Sequence, residues 1–172
     1  DLDVSFIGET TEDIVGFSLA GVDDMSGDGL ADLAIGAVWL TPDAGRSHAG
    51  GVYLVSAADD VGAQPDLANA LGKLVGAAAD DLSGYDVASV GDVNDDGFGD
   101  LVVSAPDHDP TKGLEGSGAT YLVLGPVEGT VELTDAAAVI TGDELLEWSG
   151  ASLCGVGDGD FLVGSIYRST AG

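Results

Sequence analysis

Short runs of apolar residues, separated by stretches rich in Gly and Asp, set the pattern of this chain. Leu33, Ala34 and Ile35 are apolar at consecutive positions, and so are Leu101, Val102 and Val103. A strand with one wet face would alternate; an unbroken run suits a strand covered on both faces. Residues 52–55 and 120–124 add the β-branched, aromatic and aliphatic side chains that strands favour. Gly, Asp and Pro fill the connections, where turns need them. No segment carries a helical stripe, although residues 66–71 could form a single turn. The pattern predicts an all-β protein of short strands.

These strands repeat. Glycines bracket an acidic segment three times, at Gly8 and Gly16, Gly76 and Gly84, and Gly142 and Gly150. Small apolar segments follow at 17–22, 85–90 and 151–156, then DLAIGA from Asp32, DLVVSA from Asp100 and DFLVGS from Asp160. Two copies continue with GGVYLVS from Gly50 and GATYLVL from Gly118, and close on apolar runs at 73–76 and 138–142. Agreement in register at separate places, about every 67 residues, marks a repeat protein. Each complete unit reads as four short strands. Stacked sheets of this kind are what a β-propeller supplies, and a β-solenoid with so long a unit fits less well. The expected organisation is a trailing strand of a preceding or neighbouring blade at 1–8, repeats at 9–76 and 77–142, and a partial repeat at 143–172.

Composition narrows the partners. Among 172 residues, 31 are acidic and 4 basic, a formal charge of −27. Phosphate recognition needs Lys and Arg, so nucleic acid and anionic membrane surfaces are excluded as partners. No apolar run is long enough to insert into a bilayer as a helix. The 45% hydrophobic content still supports a packed core, which argues against disorder. Of the acids, 24 are Asp, a residue that makes turns beside Gly and also ligates hard cations in tight loops. A Lys-poor acidic surface also suits a high-salt habitat. Starting at Asp1, the chain reads as a processed product or a fragment. The single Cys154 makes no internal disulfide, and its apolar-leaning neighbours predict a buried, inert thiol.

Two loops carry the candidate chemistry. Residues 24–32 and 92–100 both fit D-x-[SN]-x-D-G-x-x-D, between the first and second strands of their units. Asp24, Ser26, Asp28 and Asp32 in the first, and Asp92, Asn94, Asp96 and Asp100 in the second, place oxygens at positions 1, 3, 5 and 9. The backbone carbonyl at position 7, Leu30 or Phe98, can complete the shell, and Gly at position 6 permits the sharp turn. The pattern matches the start of an EF-hand loop without its final Glu, and a strand follows in place of a helix. Clustered carboxylates repel unless a cation lies between them, and an all-oxygen set points to Ca²⁺ rather than Zn²⁺. Two Asp/Gly turns without metal are the other reading. In the third unit, aligning Asp158 and Asp160 with Asp92 and Asp100 shortens the loop and removes positions 3 and 5, so no site is expected there.

On these residues the chain resembles the FG-GAP repeats of integrin α-subunit propellers and of many bacterial surface proteins. The likeness is strongest at DVNDDGFGDLVVSAP (92–106) and DMSGDGLADLAIGAV (24–38). The FG position reads Val15-Gly16, Ser83-Gly84 and Ser149-Gly150, keeping the Gly without the Phe. The resemblance implies four-stranded propeller blades, calcium in both loops and an extracellular role in adhesion or display. Two complete units and part of a third do not close a ring of 4 to 8 blades. Open edges then invite further blades of a longer chain, or copies of this chain assembling into a ring or filament.

Other functions have weaker support. Asp107-His108-Asp109 and His48 are the candidate catalytic residues, yet no nucleophile stands beside a base and no hydrolase motif is present, so no enzyme is expected. Trp39 and Trp148 could stack on a glycan in a lectin-like propeller, or pack between blades.

Overall fold

A computed structural model describes residues 5–56, 66–157 and 159–167. The first repeat folds as an antiparallel meander of β1 (Val15–Val22), β2 (Asp32–Ala37), β3 (Gly51–Ser56) and β4 (Gly72–Val75). The second uses β5 (Val87–Gly91), β6 (Asp100–Ala105), β7 (Ala119–Val123) and β9 (Ala138–Thr141), again antiparallel throughout. A third sheet pairs β10 (Ser149–Gly157) with β11 (Asp160–Ser165). The fold is all-β, and the sheets are propeller-type blades of which the third is partial.

The consecutive apolar runs are explained by what lies on each side. Ala34, Val52 and Leu54 turn one face of the first sheet onto Leu101, Val103 and Tyr121 of the second. Their neighbours Ile35, Tyr53 and Val55 fill a second core on the opposite face, which Phe6 of the leading segment helps to cover. Val102 then faces away from the first sheet, with Leu153 and Phe161 of the third packed near it. Pleated strands send alternate side chains to opposite faces, so only a sheet covered twice needs apolar residues at every step. Strand β5 lies against both β1 and β10, which brings the first strands of successive sheets side by side.

Tight backbone contact between units requires glycine. Gly84 sits at φ +80°, and a Cβ there would lie 2.2 Å from the carbonyl oxygen of Gly51. A Cβ on Gly36 would likewise meet the Gly84 carbonyl oxygen at 2.2 Å. The Gly84 carbonyl also accepts a 2.8 Å hydrogen bond from Ser18 Oγ. First and second units are thus stitched through backbone where no side chain fits.

Four strands per blade is an incomplete description of the first sheet. A fifth, β8 (Gly129–Glu132), comes from the connector of the second repeat and adds in parallel to β4, with Val75 opposite Glu132. The leading segment shows the same relationship one unit earlier. Ile7 bridges Asp66 in parallel, and Leu67 N–H donates to Ile7 O at 2.9 Å. Val4, the start of the expected leading strand, lies outside the described residues. The turn expected at 66–71 is a 3₁₀ turn, Leu67–Asn69, capped by the Asp66 carboxylate.

Cys154 departs from expectation: its thiol is exposed. It alternates with Leu153 along β10, so the two face opposite ways. Leu153 packs toward Val102, and Cys154 takes the open side of a two-stranded sheet.

Candidate metal centre

The first loop, residues 24–32, closes around Asp24. Its Oδ1 accepts from the N–H groups of Ser26, Gly27 and Asp28, and from Ser26 Oγ; its Oδ2 accepts from Gly29 N–H at 2.7 Å. Gly27 and Gly29, at φ +83° and +85°, let the chain turn tightly enough to present these donors. Asp28 accepts from Leu30 N–H at 2.8 Å and from Ser56 Oγ, at the end of β3, at 2.5 Å. Asp32, at the start of β2, is buried and accepts from Met25 N–H at 2.8 Å through Oδ2. Its Oδ1 is buried without a hydrogen-bond partner.

The second loop, residues 92–100, repeats this design. Asp92 accepts from Asp96 N–H at 3.0 Å and from Gly97 N–H at 2.8 Å. Asn94 donates to Asp96 Oδ2, and Phe98 N–H donates to Asp96 Oδ1. Asp95 and Gly97 hold the positive φ that Gly27 and Gly29 hold in the first loop. One difference matters. Asp100 is fully buried with both oxygens engaged, by Val93 N–H and Gly125 N–H, each at 2.8 Å.

Each loop therefore gathers its predicted residues, with Leu30 and Phe98 at position 7, but binds them inward to its own backbone. Among the described residues, no three His, Cys, Asp or Glu side chains are grouped as metal ligands. The electrostatics remain those of crowded carboxylates. Burial pushes the Asp32 carboxyl above its ordinary value and the charges of Asp28 and Asp24 push it further, against the backbone N–H groups of Met25 and Ser26. Asp100 is raised by burial first and then by Asp96 and Asp92, against the Gly125 and Val93 hydrogen bonds. At Asp24 desolvation opposes ionisation, but the N–H donors of Gly29, Gly27 and Ser26 with the Ser26 hydroxyl outweigh it and hold the carboxyl below its ordinary value. An unpartnered buried carboxylate oxygen, in an all-oxygen loop with two further acids acting on it, fits a hard cation.

Three buried acids at equivalent repeat positions escape a reading of the sequence by motif. Asp13, Asp81 and Glu147 each stand at the same place within a glycine bracket and are at most 2% exposed. Asp13 accepts from Thr10 N–H and Oγ1, Asp81 from Ala78 N–H, and Glu147 from the N–H groups of Asp143 and Glu144. They cap turns, and the recurring acid inside each bracket is the signal that could have found them.

The other candidates separate. His108 Nδ1 lies 3.0 Å from Asp81 and 3.5 Å from the Tyr121 hydroxyl, a pairing with no nucleophile in it. Trp148 makes edge contacts with Tyr85 of the second unit and Tyr167 of the third, so it packs between units. Trp39 is 44% exposed and its ring lies tilted against that of His48, with centroids 5.2 Å apart.

Comparison with known proteins matches residues 83–123 to the FG-GAP repeat family. Integrin alpha-7 of Rattus norvegicus is 31% identical over 176 residues, covering 98% of this chain and 14% of that protein. Integrin alpha-PS2 of Drosophila melanogaster is 32% identical over 143 residues, 81% of this chain and 10% of its own length. Integrin alpha-5 of Xenopus laevis is 33% identical over 105 residues, 59% and 9% respectively. The chain spans a small part of each of these relatives.

Proposed function

We propose that this chain, a member of the integrin α-like FG-GAP repeat family, is a calcium-stabilised extracellular module used for adhesion or display, built from units at 9–76, 77–142 and 143–172. The observation that carries the calcium reading is Asp32 Oδ1, buried and without a hydrogen-bond partner in a loop that also holds Asp24 and Asp28. Asp24, Ser26, Asp28 and Asp32 with the Leu30 carbonyl would hold one ion, and Asp92, Asn94, Asp96 and Asp100 with the Phe98 carbonyl a second. Bound Ca²⁺ neutralises like charges and pins the hairpins β1–β2 and β5–β6; its role is structural. Binding only the folded state stabilises it by about 2.7 kcal/mol per site when calcium is 100-fold above Kd. Thermal melts in calcium and in EDTA test the reading: a clear rise in Tm with calcium is expected, and superimposable curves would overturn it.

A second reading concerns partners. Leu74 in β4 is fully buried in one core with Val127 and Leu133 of the second unit, whereas Ile140, at the same repeat position in β9, is 48% exposed. That difference favours a further blade seated on β9 and the third sheet, from a longer polypeptide or from another copy assembling head to tail. A cell-surface protein or glycan ligand is the remaining partner class for such a module.

A further inference from the structure

The two candidate cation loops touch, and we infer that cation occupancy of one is coupled to occupancy of the other through a two-peptide hydrogen-bond relay. This rests on the calcium reading above. Gly99 N–H, in the second loop, donates to the backbone carbonyl of Asp24, in the first, at 2.7 Å. Each end of that bond belongs to a rigid peptide plane. On one side, Gly99 N–H shares its plane with the Phe98 carbonyl, the position-7 oxygen of the second loop. On the other, the Asp24 carbonyl shares its plane with Met25 N–H, which donates to Asp32 Oδ2 at 2.8 Å.

The relay thus starts at a proposed ligand of the second loop and ends on the carboxylate whose other oxygen is buried and unpartnered in the first. Its middle is held in place on several sides. Met25 is fully buried, and its carbonyl accepts from Val127 N–H at 3.1 Å. The Phe98 ring lies over Gly27, where a Cβ would come within 2.9 Å of it. Gly99 is pressed so closely on Asp23 that a Cβ would lie 2.7 Å from its carbonyl carbon.

Coupling follows from orientation and polarisation. A cation on the Phe98 carbonyl fixes that plane and makes Gly99 N–H a stronger donor, and successive hydrogen bonds reinforce one another. The Asp24–Met25 plane is then held, and Asp32 with it, before the first loop receives its ion. Ordering done by one ion need not be done again for the next, so the coupling is positive.

Calorimetric titration of the whole chain with Ca²⁺ tests this, using Asp96→Asn to disable the second loop and Asp28→Asn to disable the first. Each variant is expected to bind one ion about 5-fold or more weakly than the same loop binds it in the parent with the other loop filled, and the two factors should agree because linkage is reciprocal. Asn94→Ala is the second variant for the 92–100 loop should Asp96→Asn not fold. Unchanged affinity in each remaining loop would make the sites independent and overturn the coupling. Absence of any calcium binding to the parent is a different result, and overturns the calcium reading itself.

Discussion

Arg46 and Glu132, 86 residues apart in sequence, are joined by two contacts of 2.5 and 3.2 Å. The same guanidinium donates to the Gly76 carbonyl at 2.9 Å and pairs with Asp43. In a chain with four basic residues, one of them is committed to holding β8 against the end of β4. The pair is partly screened, since Glu132 is 39% exposed, so its contribution is modest. Arg46→Ala is expected to cost about 1 kcal/mol, roughly 2–4 °C in Tm for a chain of this size. Hydrogen exchange should quicken in Gly129–Glu132 and leave β2 and β3 protected. Equal quickening across the first sheet would show that Arg46 does not act on β8 in particular.

Two repeat-equivalent glycines separate conformational need from space. Gly84 and Gly16 share positive φ, +80° and +85°. Ala at either position incurs the left-handed backbone strain of about 1–2 kcal/mol. Only Gly84 also faces backbone: a Cβ there would lie 2.2 Å from the Gly51 carbonyl oxygen, while nothing approaches within 4 Å at Gly16. Gly16→Ala should therefore fold with a lowered Tm, and Gly84→Ala should lose the cooperative transition or fall several-fold further. Equal melting of the two variants would refute the close-approach argument.

Asp107 gives a pH dependence outside the metal loops. Burial raises its carboxyl, Asp109 raises it further, the Trp148 side-chain hydrogen bond opposes, and Asp80 and Asp81 add to the rise. A folded-state value above the unfolded one means that the folded state holds the proton longer. The associated stability is complete below the unfolded value and is lost as pH rises through the folded one. Asp107→Asn removes that loss. In EDTA, the variant should melt above the parent at pH 7, with the gap closing below about pH 4, where the parent is protonated as well. A gap that persists unchanged into acid would assign the gain to something other than ionisation.

Much of this is readable in the chain. Unbroken runs such as Leu101-Val102-Val103 declare sheets covered on both faces, and the glycine brackets place every first strand. The two loops fold where D-x-[SN]-x-D-G-x-x-D puts them, because Asp and Gly fix local turns without help from distant residues. Strand β8 is illegible for the opposite reason. Its segment, Gly129–Glu132, follows Gly125 and Pro126 and reads as connector; it becomes a strand only against the edge of β4, with Arg46 waiting at its end. Cys154 misleads because its apolar neighbour Leu153 is the one that packs inward, half-buried on the other face of the same strand.

The repeat also predicts equal burial at positions that the structure makes unequal, and that inequality can be measured. Leu74 and Ile140 occupy the same step of the fourth strand, at 0% and 48% exposure. Leu74 is closed in by Leu133 and Val127 of the second unit, with β8 along its strand edge. Nothing equivalent covers β9 among the described residues. Truncating a closed site removes both apolar burial and the contacts around the resulting cavity, so Leu74→Ala should cost about 2–5 kcal/mol. At Ile140 half the area already faces water, and Ile140→Ala should cost about 1 kcal/mol or less. Denaturant unfolding of the two variants checks the contrast. Comparable losses would mean that β9 is already covered in solution, by another copy of this chain, and the cost at Ile140 would then depend on protein concentration.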